Sequence, residues 1–319
     1  MPKELTHLIL ADTSKQRFLG KNPNSVLGEL LETYGDYFLF GAVMHDVSFF
    51  ASSTSFGEML KKKGKAVHGN PPNDTLLPIR YLLDVYGRTG AGETLALMAG
   101  ALTHMIVDSL FHPFVYYYTG DVISRHYLLE TLIDTHLARG TENMFLNRNL
   151  YKNLRGNFDF LALHLSGFLG LSGSYIPEIK RAMNMHALTL RFFRSRKAYY
   201  LFRLMSCLGS EEIKSKAHLF YPYKMRFKTP FFDSNFFYRH PVTGSVGTGP
   251  LGWFVETAVQ RSCELFDEIQ TRLADKSLEL FFSEKQPVSL ESGLDPFIII
   301  RPFHHTDLSM PIDRLVSGH

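Results

Sequence analysis

Cysteine is scarce: Cys207 and Cys263 are the only two among 319 residues, with no Cys-x-x-Cys spacing. That excludes a disulfide framework and a thiolate zinc site, so any metal must be held by nitrogen and oxygen. Uninterrupted apolar runs of the ~20 residues needed to cross a bilayer are also missing. The longest candidates, near 94–118 and 160–173, are broken by His104, Asp108 and His164, so no transmembrane segment is expected. The N-terminus lacks the basic end, apolar stretch and cleavage site of a signal peptide, because the apolar stretch Leu5 to Ala11 is short and contains His7. A cytoplasmic protein is therefore expected. There is no repeat of solenoid length and no period-two segment longer than a few residues. The glycine-rich run Gly244 to Gly252 has neither the lysine nor the strand context of a phosphate-binding loop.

What is present is helical patterning in a chain that is 45% hydrophobic and 20% charged, enough for a sizeable core. Apolar residues recur at helical spacing over 25–42 after Ser25, a fitting N-cap, and over 74–87 after Pro71-Pro72-Asn73-Asp74. Further helices are expected over 92–112, over 122–139 before a Gly140 cap, and over 157–171, 176–208 with an interruption, and 252–282. The fold class is all-α: a single multi-helix domain over 1–284, followed by a C-terminal extension over 285–319.

The densest chemical signal is His104, Asp108, His112, His126 and Glu130 in otherwise apolar sequence. A step of four returns a side chain to nearly the same helix face about 6 Å further on. From His104 to His112 is roughly 12 Å of helix, too far for one ion at ~2.0 Å bonds but suited to two, with Asp108 between them. His126 and Glu130 repeat the step on a second helix. His7, Asp46 and His68 lie upstream, each near an interruption in the apolar pattern. Burying these groups without compensation would cost several kcal/mol, so either metals or dense mutual pairing must accompany them. Two or three zinc ions with open positions would suit phosphate-ester hydrolysis, since dications acidify water and stabilise the charge of an in-line displacement. Asp46 is the candidate catalytic residue, as a carboxylate able to steer or deprotonate that water.

The order His7, Asp46, His68, His104, Asp108, His112, His126, Glu130 resembles that of the zinc-dependent phospholipase C family, whose fold and trinuclear site are shared with S1/P1-type nucleases. The resemblance implies His7 on one zinc of a close pair, Asp108 bridging the pair, and Asp46, His68 and His104 around its other zinc. It implies His112, His126 and Glu130 on a third. It covers residues 1 to 140, with a fainter echo in Tyr238 to Gly244. Two departures fall on the metals. Secreted members begin with a tryptophan that binds zinc beside the first histidine, whereas this chain begins Met1-Pro2-Lys3, so the zinc at His7 is expected to be weakly held, absent or completed by another group. The step from Asp108 to His112 is also shorter than theirs.

Phospholipid headgroup hydrolysis is the expected reaction, with an S1/P1-like nuclease as the alternative. Residues 180–228 hold twelve Lys/Arg against two Glu, interleaved with aromatics such as Phe192, Tyr200, Tyr223 and Phe227. That composition suits peripheral contact with an anionic membrane surface or single-stranded nucleic acid, and equally suits core aromatics flanked by solvated charge. The pair His45-Asp46, with His7 and Asp108, would also fit an HD-type phosphohydrolase, but that leaves His104, His126 and Glu130 without a role. A zinc-stabilised binding module without catalysis is a further alternative. Asp134, four residues after Glu130, could replace or support it; His164 and His186 read as core residues with hydrogen-bond partners, and His304-His305 as exposed.

Overall fold

The computed structural model describes residues 3–69, 74–120, 122–140, 150–221, 230–282 and 285–295. The longer helices are α1 (Glu4–Lys21), α2 (Val26–Thr33), α3 (Gly35–Gly41), α4 (Ser55–Val67), α5 (Leu77–Thr89), α6 (Gly92–Thr119) and α7 (Ile123–Leu137). They are followed by α8 (Phe158–Phe168), α9 (Ile176–Phe193), α10 (Arg196–Leu208), α11 (Glu211–Ala217) and α12 (Leu251–Ala274). The all-α class holds. Ser25 accepts the Gly28 amide at 3.1 Å as an N-cap, but the stretch 25–42 divides into α2 and α3 at Tyr34. The interruption in 176–208 falls at Arg194 and Ser195, where Ser195 caps α10 through the Ala198 amide.

α6 is the axis of the molecule, packed on α1, α3, α5, α7 and α12. At 28 residues it is long and apolar enough to cross a membrane despite His104 and Asp108, but 83% of its most apolar stretch is buried inside the protein. It is thus a core helix, and it bears most of the chemistry. It also runs on past residue 112, through Pro113 to Thr119. Pro113 has no amide hydrogen to give to Ser109, four residues earlier. The Ser109 carbonyl instead faces the turn at Gly293, where an added Cβ would come within 2.7 Å of it.

α3 crosses α6 backbone to backbone. A Cβ on Gly41 would lie 2.3 Å from the Leu97 carbonyl oxygen, and one on Gly100 would lie 2.0 Å from that of Phe38. This contact brings the Ala42 carbonyl to within 2.9 Å of His104 Nδ1. In an ordinary helix Gly→Ala is favourable by up to about 1 kcal/mol. Gly100→Ala should instead destabilise by about 1–3 kcal/mol, because the helices must separate. A lower urea midpoint together with reduced zinc uptake is the expected result; an unchanged midpoint would contradict the crossing.

Two elements differ from the sequence expectation. Phe236–Arg239 and Val246–Gly249 form an antiparallel hairpin, with Phe236 opposite Gly249. Four-residue strands are too short to register as alternation. The hairpin is held by burial of Phe236, which stacks on Phe114 and Phe254. Part of the Gly244 to Gly252 run is therefore strand. Asp134, in turn, does not join Glu130. It accepts the amides of Leu5 and Thr6 at 3.3 and 2.8 Å and the Tyr221 hydroxyl at 2.6 Å, and so caps the start of α1.

Candidate metal centre

Each element delivers its ligand candidates to one interior region. His7 comes from α1, Asp46 from the 3-10 turn Asp46–Phe50 after α3, and His68 from the residue that ends α4. α6 supplies His104, Asp108 and His112, and α7 supplies His126 and Glu130. All eight are buried, His126 being the most accessible at 7%. Three sets have donor atoms within 4.8 Å of one another and could hold a metal: His7, Asp46 and His104; His68, His104 and Asp108; and His112, His126 and Glu130. The first two share His104 and form one cluster. The third lies one to two helical turns along α6.

Asp108 sits between imidazoles. Its Oδ1 is 3.2 Å from His7 Nε2, and its Oδ2 is 3.1 Å from His104 Nε2 and 3.9 Å from His68 Nε2. Asp46 Oδ1 is 3.2 Å from His68 Nε2, and Glu130 Oε1 is 2.7 Å from His126 Nε2. A tetrahedral ion with ~2.0–2.1 Å bonds places its ligand atoms ~3.3 Å apart, so most of these separations suit a shared cation. Although enclosed, both oxygens of Asp108, both nitrogens of His7 and the Nε2 atoms of His104 and His112 have no aligned hydrogen-bond partner among the described residues. Leaving that many buried polar atoms unsatisfied is costly, and a nitrogen–oxygen donor set of this kind fits zinc.

The outward-facing nitrogens are spoken for. His104 Nδ1 donates to the Ala42 carbonyl at 2.9 Å, His68 Nδ1 to Gly64 at 2.7 Å and His112 Nδ1 to Leu290 at 2.5 Å. An imidazole whose Nδ1 carries the proton presents Nε2 as a lone pair, which is the usual support of a metal-binding histidine. The Leu290 carbonyl had no sequence signal, because a backbone acceptor leaves no trace in residue identity. It belongs to residues 285–295, the start of the stretch set apart in the sequence as an extension. The Leu290 amide donates to the His68 carbonyl at 3.0 Å, and Thr75 Oγ1 donates to Val288 at 2.8 Å, so this strap touches both histidine groups.

His45 was absent from the expected ligand set and proves central to the packing. Its ring is fully buried, lies parallel to His104 at 4.3 Å and meets Phe168 edge-on at 4.8 Å. His7 stacks on His104 at 4.0 Å, so His104 is held between two imidazoles. The only sequence signal was its adjacency to Asp46. Burial, with the neighbouring His104, pulls His7 and His45 below the ordinary imidazole range, and burial does the same to His112. Burial opposes charge on His104 too, but Asp108 and Asp46 hold it up at about 9. Asp108 lies well below the carboxylate range: burial works against ionisation, and His104 and His112 outweigh it.

The remaining histidines have other roles. His164 pairs with Thr94 and the Phe160 carbonyl, both at 2.9 Å, and His186 accepts the Tyr151 hydroxyl at 2.6 Å. His136 lies 3.6 Å from Asp233. In 180–228 the aromatics divide: Phe193, Phe220 and Tyr221 are buried, whereas Phe192 and Tyr200 are about half exposed. Tyr223, Phe227 and His304-His305 lie outside the described residues.

Helices that enclose adjoining nitrogen–oxygen clusters define a helical protein with a buried candidate metal centre. The family model for zinc dependent phospholipase C matches residues 6–168, just over half of the chain, and the protein belongs to that family. That membership indicates zinc dependence and points to the hydrolase class. No curated protein and no solved structure matches the chain. His68, His104, His126 and Glu130, three of which an HD-type arrangement leaves idle, all stand in the clusters.

Proposed function

We propose that the protein hydrolyses the phosphodiester of a phospholipid headgroup, giving diacylglycerol and a phosphorylated alcohol, with two or three zinc ions. His7, Asp46, His68, His104 and Asp108 would hold a close pair, and His112, His126 and Glu130 a third ion. The observation that carries this reading is Asp108, whose two oxygens face different imidazoles, His7 on one side and His104 on the other. Zinc bound there supplies Lewis acidity toward a phosphoryl oxygen and lowers the pKa of water.

The chain's own groups do the rest. The carbonyls of Ala42, Gly64 and Leu290 hold three imidazoles by Nδ1 and so turn each Nε2 toward the cluster, where zinc would take the place of any proton it carries. Asp46, 2% exposed and beside His68, would take the proton of the attacking water. The apolar walls from Phe168 and the α6 core keep bulk water out, which strengthens every charge interaction inside.

The test is a substrate panel with zinc-loaded protein: short-chain phosphatidylcholine, p-nitrophenyl phosphorylcholine and single-stranded DNA. Zinc-dependent release of phosphorylcholine is expected. Cleavage of DNA with no turnover of the choline esters would replace this reading with the nuclease, and full zinc occupancy with no turnover of any substrate would leave a zinc-stabilised module.

A further inference from the structure

α10 is amphipathic in an unusual sense. Ala198 and Phe202 face inward, while Tyr200, Leu201, Leu204 and Met205 are 50%, 54%, 65% and 40% exposed. At 100° per residue, Tyr200, Leu204 and Leu201 share one arc of about 100° with Lys197. A surface helix ordinarily turns its polar face outward, and this one turns an aliphatic face outward instead. The stripe continues on α9 through Met185, Leu188 and Phe192, exposed by 50%, 61% and 45%. The Phe192 ring meets that of Phe202 at 5.9 Å, which joins the two stripes.

Charge surrounds this face. Between residues 191 and 216 the chain has seven Lys/Arg against two Glu, although the whole chain is only +3. Arg196, Lys197 and Arg203 are all exposed on α10 itself. The face is also fastened to the metal-bearing part of the fold. The residue after α11, His218, donates from Nδ1 to the Ser124 carbonyl at 3.0 Å, and its own carbonyl accepts Thr131 Oγ1 at 2.8 Å. Both partners are on α7, which carries His126 and Glu130.

We propose that the outer face of α9 and α10 is a docking surface for an anionic phospholipid bilayer, an inference that rests on the phospholipid reading of the site. Aliphatic side chains enter the boundary between headgroups and acyl chains while Lys and Arg lie at the phosphate level. Single-stranded nucleic acid fits less well, because it needs aromatic stacking platforms and the outward face is mainly leucine and methionine. Docking would hold the α7 ligands at the lipid surface without any change in the metal centre.

The experiment is co-sedimentation of the full chain with phosphatidylcholine vesicles, with and without phosphatidylglycerol, at rising salt. Binding to the anionic vesicles that weakens with salt is expected. The pairs Leu201→Glu with Leu204→Glu, and Lys197→Glu with Arg203→Glu, should each reduce it by ~10-fold or more, since each basic residue near the surface contributes several-fold. Both should keep the zinc content and the turnover of p-nitrophenyl phosphorylcholine of the unaltered protein. Vesicle binding that is unchanged in both variants overturns the proposal. So does a face that instead binds single-stranded DNA, or one whose leucine variant merely converts a dimer to a monomer. Loss of p-nitrophenyl phosphorylcholine turnover with vesicle binding intact would refute the hydrolase and not the surface.

Discussion

Removing zinc with a strong chelator is expected to lower the unfolding temperature by ~10 °C, with recovery when zinc is restored. Two zinc ions, each at 1,000 times its dissociation constant, add about 8 kcal/mol, and each kcal/mol is ~1.5 °C in a chain of 319 residues. The effect should be large because the ion satisfies buried atoms of His7, His104, Asp108 and His112 that the protein leaves without aligned partners. Calcium or magnesium, which prefer six or more oxygens, should not restore stability. Stripped protein carries its compensating proton on His104, held near 9 by the charges of Asp108 and Asp46 against the cost of burial. Zinc must displace that proton, so affinity is expected to rise with pH until about 9 and to fall by roughly tenfold per unit below it. Scanning calorimetry with and without chelator, repeated across pH, checks both statements. An unfolding temperature indifferent to zinc would contradict the metal reading of the cluster.

Asp108→Asn should be the most damaging single change to activity. It keeps the shape but removes the charge and the second anionic oxygen, so the oxygen facing His7 and the oxygen facing His104 can no longer both bind. At least one zinc should be lost, and kcat/KM should fall by roughly 10³-fold or more, beyond the 10–100-fold typical of altering a group that only supports a ligand. His104→Ala should behave alike. His164→Ala is the control: it also removes a buried imidazole of an apolar helix, but one tied to Thr94 and Phe160 and outside the clusters. About 1–3 kcal/mol of stability should be lost there, with zinc content unchanged. Plasma emission analysis of the three purified variants separates the cases, and equal zinc loss in all three would count against the assignment.

The helical part of this centre was legible because helical geometry is local. A step of four puts His104 beside Asp108, and the same step puts His126 beside Glu130, whatever the rest of the chain does. His7, Asp46 and His68 were legible only through the order they share with a known family, since nothing local brings α1, the turn after α3 and the end of α4 together. The continuation of α6 through Pro113 was hidden because proline ordinarily ends a helix, and here the helix runs on to Thr119 with the Ser109 carbonyl lying against the distant turn at Gly293. The hairpin was hidden by brevity. Backbone carbonyls such as Leu290 were hidden altogether, and His45 nearly so, because stacking between imidazoles depends on the α3–α6 crossing and not on spacing.

That crossing and the unbroken run of α6 bear on how the centre moves. One rod of backbone carries residues from both clusters, so thermal motion displaces the two together, and a bound phosphate would meet a gauge set by helical pitch. A single residue inserted between Asp108 and His112 would turn His112 by about 100° about the α6 axis relative to Asp108 and unmake the gauge at once.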